Sequence, residues 1–355
     1  MTSPPPLLRV SNLSTQFKTP RGTFFAVEDV SLTLQRGQTL GLVGESGCGK
    51  STLGRSIVRL IEPWSGSIKL DGTELVGLSQ RELRPHRHRM QMVYQDPLSS
   101  MNPRHSIRRI MEEPLAVNNV GTEKERKDLI LGLLTRVGLR EDALDRFPHE
   151  FSGGQRQRIC IARALTLHPD IIICDEAVSA LDVSLQAQVL NLLAELQEEM
   201  SIAYLFVSHD LAVVEHMSDW VAVMYLGKVV EIASRSELWM RPGHPYTQAM
   251  IDTIPVMEVP QKKEIKTIEG DIPDPRNPPS GCRFRTRCPQ ALPLCAEQEP
   301  KLAEVHSQHW CACHLHTASS DGEIGQIVNV VGKAKEAIRR VAEAANEVEP
   351  SWAAR

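Results

Sequence analysis

The sequence predicts an α/β fold built on a parallel sheet. Two short apolar runs, 171–174 and 203–207, have the composition of strands that are buried on both faces of such a sheet. A glycine-rich loop at 44–51 lies between a predicted strand and a predicted helix. Between this loop and the apolar runs, residues from about 96 to 165 have the periodicity of helices. We therefore expect a parallel core interrupted by a helical insertion.

Composition and charge are those of an ordinary globular protein. The 355 residues are 41% hydrophobic and 24% charged, and the formal net charge is −4, a balance typical of soluble domains. Because the chain has no excess of positive charge, we expect no nucleic-acid partner. The N-terminus lacks a basic segment followed by an apolar one, and no apolar run approaches the roughly 18 residues of a membrane span. We therefore expect a cytosolic chain with reduced thiols.

The glycine-rich loop has the pattern of a phosphate-binding loop, G-x-x-x-x-G-K-[ST]. Glycines let the backbone curl so that successive N–H groups point at phosphate oxygens, and the following helix adds its positive N-terminal end. Lys50 is expected to reach the β- and γ-phosphates, and Ser51 to place its hydroxyl on Mg²⁺. The predicted nucleotide-binding residues here are Gly44, Glu45, Ser46, Gly47, Cys48, Gly49, Lys50, Ser51 and Thr52.

Two carboxylates follow the apolar run at 171–174. Asp175 ends the predicted strand, where it can hold the Mg²⁺ shell together with Ser51. Glu176 follows it, where a carboxylate can orient and deprotonate the attacking water as a general base. An apolar strand followed by Asp-Glu is a weak signal alone, but downstream of a phosphate loop it predicts an ATP-hydrolysing site.

A second glycine-containing loop precedes another predicted helix. Residues 151–158, FSGGQRQR, resemble the signature motif of the ABC (ATP-binding cassette) ATPases, with Phe151 where leucine is more usual. The N–H groups of such a loop can bind an anion. In that family two ATPase domains pair head to tail, and each signature loop closes on the ATP held by the other. The resemblance implies that the nucleotide contacts include Ser152, Gly153, Gly154 and Gln155.

The same resemblance assigns the smaller motifs. Gln95, in MVYQDP, resembles the glutamine that contacts Mg²⁺, the attacking water and the membrane subunit. Asp182, in SALD, resembles the D-loop aspartate. His209, in FVSHD, resembles the switch histidine that contacts the γ-phosphate. The implied catalytic residues are Glu176, His209 and Gln95, and the implied Mg²⁺ ligands are Ser51, Gln95 and Asp175.

Three aromatic residues are candidates for the contact with adenine. Phe17, in the N-terminal predicted strands, resembles the aromatic residue that stacks on the base. Phe24 and Phe25 lie nearby in the sequence and compete for this role. A place in the hydrophobic core is an open alternative for all three.

Longer strings narrow the resemblance to one branch of the family. GESGCGKSTLGR, QDPLSSMNPR, YLGKVVE and GHPYTQAM are similar to the F-type ATP-binding subunits of oligopeptide/dipeptide importers. This resemblance, over about 7–316, implies ATP, Mg²⁺, a second ATPase subunit (the D-type paralogue), two membrane permeases and an external substrate-binding protein. It places the chain peripherally at the cytoplasmic face of the inner (plasma) membrane. Nickel and glutathione importers share these strings, so both stay alternatives for the cargo.

Five of the eight cysteines fall within residues 282–313. A tight cluster in a reduced compartment favours a metal or iron–sulfur site over disulfides. In this branch the C-terminal domain often carries four cysteines, which implies that Cys282, Cys288, Cys295 and Cys313 bind a [4Fe–4S] cluster, with tetrahedral zinc as the alternative. Cys311 is an additional thiol, and reduced cysteines without a metal are a third possibility.

The predicted fold is thus a P-loop NTPase of the ABC ATPase class, with a RecA-like core, an antiparallel β subdomain and a helical subdomain. A small C-terminal cysteine-bearing domain follows. We expect the ATPase domain at 7–255, its helical insertion at about 96–165, and the C-terminal domain at 256–316. Four prolines within 271–280 indicate an extended linker. Apolar residues in steps of three and four predict an amphipathic helical tail at 317–355, which packs on this chain or on a partner.

Two other classes of function compete with transport. A soluble ABC ATPase that acts on nucleic acid or ribosomes is disfavoured, because only about a hundred residues separate Lys50 from Ser152 and leave no room for a long coiled-coil arm. A non-catalytic regulatory or iron-sensing module would not need Lys50, Asp175, Glu176 and His209 together. The intact motifs favour a transport ATPase.

Overall fold

The computed structural model describes residues 5–20, 22–253, 268 and 270–316, and within them the chain forms two β-sheets flanked by helices. The predicted helical tail at 317–355 lies outside the described residues. The strands are β1 (Leu8–Thr19), β2 (Gly22–Leu34), β3 (Thr39–Val43), β4 (Ser65–Leu70), β5 (Thr73–Glu74), β6 (Met90–Val93), β7 (Ile171–Asp175), β8 (Ala203–Val207), β9 (Trp220–Tyr225), β10 (Lys228–Ser234), β11 (Ala303–His306) and β12 (His309–Cys311).

The helices concentrate in the middle of the chain. Three of them fall in the predicted insertion, which short 3-10 helices at Glu141–Asp145 and Pro148–Glu150 complete. None of the helices in the described part of the chain has the length and apolar composition needed to cross a bilayer. The helices are α1 (Lys50–Ile57), α2 (Gln80–Arg89), α3 (Ile107–Val117), α4 (Glu123–Arg136), α5 (Gly153–Leu165), α6 (Val183–Met200), α7 (Leu211–Met217), α8 (Arg235–Met240), α9 (Pro245–Asp252) and α10 (Leu294–Glu297).

The main sheet has the strand order β11-β12-β10-β9-β3-β8-β7-β6. Strands β9, β3, β8, β7 and β6 are parallel, whereas β10, β12 and β11 continue the sheet with antiparallel pairing. Strands β3, β7 and β8 are buried along their whole length. Because neither face of these strands meets water, both faces carry apolar residues, and the predicted α/β core is confirmed.

Two hydrophobic layers cover the main sheet. Along β8, Tyr204 and Phe206 join the core that contains helices α3 to α6. The alternating residues Ala203, Leu205 and Val207 join the opposite core, which contains α1 and the antiparallel sheet β2-β1-β4-β5. One strand therefore supplies both cores, as the period of two along a strand requires. The carboxyl ends of the parallel strands are held rigidly between these layers.

The first two strands are the longest in the described part of the chain. β1 and β2 form a hairpin of 12 and 13 residues whose register shifts between Val10 and Leu13 and again between Leu13 and Thr15. Asn12 has a positive φ of 49° at the first shift, and its side-chain amide donates to the carboxylate of Asp29 at 2.7 Å. Such bulges interrupt the alternation of apolar and polar residues along a strand, so the sequence pattern does not show the full length of this hairpin.

Residues predicted for a separate C-terminal domain extend the main sheet. β12 pairs with β10, and the two strands carry a buried pair in which Glu231 Oε1 lies 2.6 Å from His309 Nε2. The backbone N–H groups of Gly243 and His244 donate to the same carboxylate at 2.6 and 2.9 Å. Burial alone would raise the pKa of Glu231, but these hydrogen bonds hold it below its ordinary value. The segment is thus joined to the core by a charged group with several partners.

Candidate functional site

The phosphate loop occupies residues 44–49, between the end of β3 and the start of α1. Gly49 caps the helix with a left-handed backbone, at a φ of 104°. A Cβ atom at this position would lie 2.1 Å from the backbone oxygen of Ala26 in β2. Only glycine fits so close to another backbone. The loop is therefore shaped by contact with the antiparallel sheet as well as by its own sequence.

We expect Gly49→Ala to weaken ATP binding by more than about tenfold, because the loop must shift to separate the new methyl group from Ala26. Gly72→Ala is the matched control, since Gly72 also has a positive φ, of 81°, but its Cβ would meet nothing within 4 Å. Calorimetric titration of both variants with ATP checks the prediction. Equal ATP affinities in the two variants would show that the contact with Ala26 does not shape the loop.

Lys50 is the first residue of α1, and only 4% of it is exposed. Its ammonium group donates to the backbone oxygens of Gly44 at 2.7 Å and Glu45 at 3.0 Å. The first turn of α1 contains no acidic residue, so nothing there repels a phosphate from the positive end of the helix. A compact cation is thus held inside the loop at a helix N-terminus, which is an arrangement suited to phosphate.

Ser51 and Asp175 bring two oxygen atoms together beside the loop. The Ser51 hydroxyl donates to Asp175 Oδ1 at 2.6 Å, and Arg55 Nη2 lies 3.4 Å from Oδ2. Asp175 ends β7 and is buried. Mg²⁺ takes oxygen ligands at 2.0–2.1 Å in an octahedron, so neighbouring ligands lie about 3 Å apart. The hydroxyl and the carboxylate therefore fit two adjacent positions in the shell of a magnesium ion.

Glu176 and His209 meet at the ends of two neighbouring strands. Glu176 follows β7, and its N–H donates to the oxygen of Val207 at the end of β8 at 3.0 Å. Its Oε1 lies 3.4 Å from Nδ1 of His209, whose side chain is half exposed. Glu176 has a positive φ of 51°, a strained conformation that is common at functional sites. A carboxylate and an imidazole thus face each other beside Asp175.

Gln95 lies on the same edge of the sheet. It follows β6 by two residues and is exposed. Strands β6, β7 and β8 are parallel neighbours, so the residues after them share one edge. Ligands of open α/β sheets bind at the carboxyl ends of the strands. The structure therefore brings Gln95, Asp175, Glu176 and His209 to the edge where the phosphate loop also begins.

The signature loop forms the N-terminal cap of α5. Ser152 and Gln155 cap each other, with the Ser152 N–H donating to Gln155 Oε1 at 3.0 Å. Helices α2 and α4 begin with the same capping box, but Glu82 and Glu125 take the place of the glutamine. A neutral amide leaves the positive helix end without a local anion. This exposed helix N-terminus therefore stays suited to an anion from outside the chain.

The other two predicted contacts have local structural partners. Asp182 caps α6, where its Oδ1 accepts from the N–H of Leu185 at 2.9 Å. Phe17 lies opposite Phe24 in the β1–β2 hairpin, and the two ring centroids are 5.9 Å apart. Both rings are half-buried, on the hairpin whose Ala26 touches the phosphate loop. Phe25 is also half-buried, so all three aromatic residues stay candidates for the adenine contact.

Sequence reasoning missed two residues that hold Glu45. The Glu45 N–H donates to the hydroxyl of Tyr246 in α9 at 2.8 Å. The two Nη atoms of Arg287 donate to the Glu45 carboxylate at 2.7 and 2.9 Å. Tyr246 lies in GHPYTQAM, a string that carried only the family resemblance, and Arg287 lies within the cysteine cluster at 282–313. No spacing rule links either residue to the loop.

The predicted iron–sulfur cluster is wrong. The eight cysteines are free thiols, and no group of three or more His, Cys, Asp or Glu side chains within 5–20, 22–253, 268 and 270–316 could hold a metal. This also removes the zinc alternative. Burial raises the pKa of Cys282, Cys288 and Cys313, that of Cys313 to about 11, and so favours protonated thiols over the thiolates that metals require. The four cysteines that were predicted as cluster ligands are therefore free thiols: Cys282, Cys288, Cys295 and Cys313.

The fold and the site define an ATPase of the ABC class. The ABC transporter family matches residues 27–179, and the C-terminal region of oligopeptide/dipeptide transporters matches residues 230–295. Among solved structures, the ATP-binding cassette MJ0796 in a dimeric, post-hydrolysis state with ADP and Pi has a TM-score of 0.60 and 28% identity, over 64% of this chain and 98% of that one. The ATPase activity and the fold class are thus shown.

Relatives extend the similarity over most of the chain. The oligopeptide transport ATP-binding protein AppF of Bacillus subtilis is 52% identical, over 85% of this chain and 92% of AppF. A putative peptide import ATP-binding protein of Brucella ovis is 51% identical, over 87% of this chain and 97% of its own length. The chain belongs to the family of ABC transporter ATP-binding subunits of oligopeptide/dipeptide importers. The names of both relatives refer to peptide transport, and neither mentions an iron–sulfur cluster.

Proposed function

We propose that the chain hydrolyses ATP to drive peptide import through partner permeases. The observation that carries the proposal is the meeting of Ser51 with Asp175, and of Glu176 with His209, beside the phosphate loop. The relatives named for oligopeptide transport and peptide import support the cargo class. Nickel and glutathione are the alternative cargoes, and no observation favours them over peptides.

The proposed division of labour follows from the positions of the side chains. Lys50 and the N-terminus of α1 bind the β- and γ-phosphates. Ser51 and Asp175, with Gln95, would hold Mg²⁺, which would neutralise charge on the phosphate oxygens. Glu176 orients the attacking water and takes its proton. His209, whose Nδ1 lies 3.4 Å from Glu176 Oε1, would contact the γ-phosphate.

A second ATPase subunit is proposed to complete the site. Ser152 and Gln155 cap an exposed helix end whose first turn lacks acidic residues. Such an end can bind the γ-phosphate of an ATP held by another subunit. We propose that the partner is the D-type paralogue and that its signature loop closes on the ATP held by Lys50. Asp182 and Phe17 then complete the nucleotide contacts.

A groove between β6 and the helical layer is proposed to dock the permease. It measures about 380 Å³, and Leu60 and Val117 line it with 53% and 56% of their surfaces exposed. Tyr94, the neighbour of Gln95, also lines it. Exposed apolar side chains in a concave site favour an amphipathic helix as the occupant. A short cytoplasmic helix of the permease would couple Gln95 to the membrane, where the chain binds peripherally.

Purification of the membrane complex with its external binding protein tests this proposal. We expect two permeases and a second ATPase to copurify with this chain, and mass spectrometry to find peptides bound to the external protein. Bound nickel or glutathione would replace the peptide cargo. A chain that copurifies with ribosomes or nucleic acid and with no permease would refute the transport function.

A further inference from the structure

A bidentate ion pair joins the C-terminal region to the phosphate loop. Arg287 Nη1 and Nη2 lie 2.7 and 2.9 Å from the two carboxylate oxygens of Glu45, and only 5% of the Arg287 side chain is exposed. Two parallel charge-assisted bonds fix the direction of the carboxylate as well as its position. The hydrogen bonds to Glu45 raise the pKa of Arg287. Because a buried arginine without its carboxylate is costly, the pair binds the two segments tightly.

Aromatic rings pack against Arg287 on the side that faces the core. The guanidinium lies 6.0 Å from the ring centroid of Tyr225, at the end of β9. That ring contacts Tyr246 of α9 at 4.8 Å and Phe284 at 5.3 Å between centroids. Phe284 is buried, and its carbonyl accepts from the N–H of Arg287 at 2.9 Å. Packed aromatic rings deform little, so the loop adapts to Arg287 and not the reverse.

Glu45 connects Arg287 to the ammonium group of Lys50. Its carboxylate is held by Arg287, its N–H by the Tyr246 hydroxyl at 2.8 Å, and its carbonyl accepts from Lys50 Nζ at 3.0 Å. We propose that Arg287 is a positioning residue for ATP binding, which acts through Glu45 to keep the loop and Lys50 in the binding shape. The turn at 282–288 is then part of the nucleotide site, although it touches no reacting atom.

A defect in this restraint should appear in KM and not in kcat. Without Arg287 the loop samples more conformations, and binding ATP must then supply the ordering cost. Once ATP is bound, Lys50 and Glu176 have their normal positions in both the ground state and the transition state. A cost that is equal in both states raises KM and leaves kcat unchanged.

The test compares two arginines of the same turn in the assembled transporter. We expect Arg287→Gln to raise the KM for ATP about tenfold with kcat within about twofold of the wild type. Arg285→Gln is the control, since Arg285 donates to the backbone oxygen of Ser280 and not to the loop. Arg287→Lys should lie between them, because an ammonium group cannot form two parallel bonds to one carboxylate. Exchanging the charges, Glu45→Arg with Arg287→Glu, should recover part of the loss.

The melting temperature of each variant shows whether it is folded, and so separates an effect on the position of the loop from an effect on stability. If Arg287→Gln does not fold, Glu45→Gln carries the same test, because the Glu45 side chain is partly exposed and its amide replacement can still accept one hydrogen bond from Arg287. A KM within twofold of the wild type in the folded variant overturns the proposal. So does an equal rise of KM in Arg285→Gln. A wild-type complex without any ATPase activity would instead count against the proposed function.

Discussion

Glu176→Gln is expected to slow ATP hydrolysis about 10²- to 10⁴-fold while ATP still binds. The amide keeps the size of the side chain but cannot take a proton from water, and loss of a general base costs about that much. The phosphate contacts proposed for Lys50 and Ser51 do not involve Glu176, so nucleotide affinity should stay within about twofold of the wild type. The effect should therefore appear in kcat.

Steady-state phosphate release by the assembled transporter measures this effect, and equilibrium titration with ATP measures binding. Glu198→Gln is the matched control, because Glu198 is an exposed carboxylate on α6 away from the site. A decrease of less than about fivefold for Glu176→Gln would show that another group acts as the base.

Ser152→Arg is expected to reduce turnover about 10- to 100-fold and to leave the affinity of this chain's own phosphate loop unchanged. The substitution removes the cap of α5, which costs about 1 kcal/mol, and places a long side chain at the helix end that we propose closes on a partner's ATP. We propose that the phosphate loop binds its nucleotide through Lys50, so binding there should not need Ser152.

Ser79→Arg is the control for loss of a cap, because Ser79 and Glu82 form the same capping box at α2. It should cost similar stability without lowering turnover. Mixing Ser152→Arg chains with Lys50→Ala chains then tests whether one chain's loop can serve another chain's site. Full activity of a strictly monomeric wild-type chain, independent of concentration, would refute the shared site.

Local patterns predicted the parts of the site that lie close together in sequence. The phosphate loop follows directly from its glycines and Lys50, and β7 and β8 were found because both faces of these strands are apolar. Motif order along the chain then located Glu176 and His209. The structure adds their distance of 3.4 Å and the strained φ of Glu176, which no spacing encodes.

Long-range pairs could not be predicted in this way. Arg287 and Glu45 are 242 residues apart, and His309 and Glu231 are 78 apart. Ion pairs of this kind depend on tertiary packing and have no local pattern. The cysteine spacing misled for a related reason, since free thiols that are buried or partly buried also serve as small apolar side chains, and spacing alone does not show that ligands converge.

Uptake of a labelled peptide into sealed vesicles tests every step of the proposed function in one measurement. The vesicles would contain this chain with its second ATPase, both permeases and the external binding protein. We expect peptide to accumulate only with ATP and Mg²⁺, and accumulation to stop when this chain carries Glu176→Gln but not when it carries Glu198→Gln. Accumulation that continues unchanged with Glu176→Gln, or that does not depend on ATP, would show that hydrolysis at this site does not drive transport.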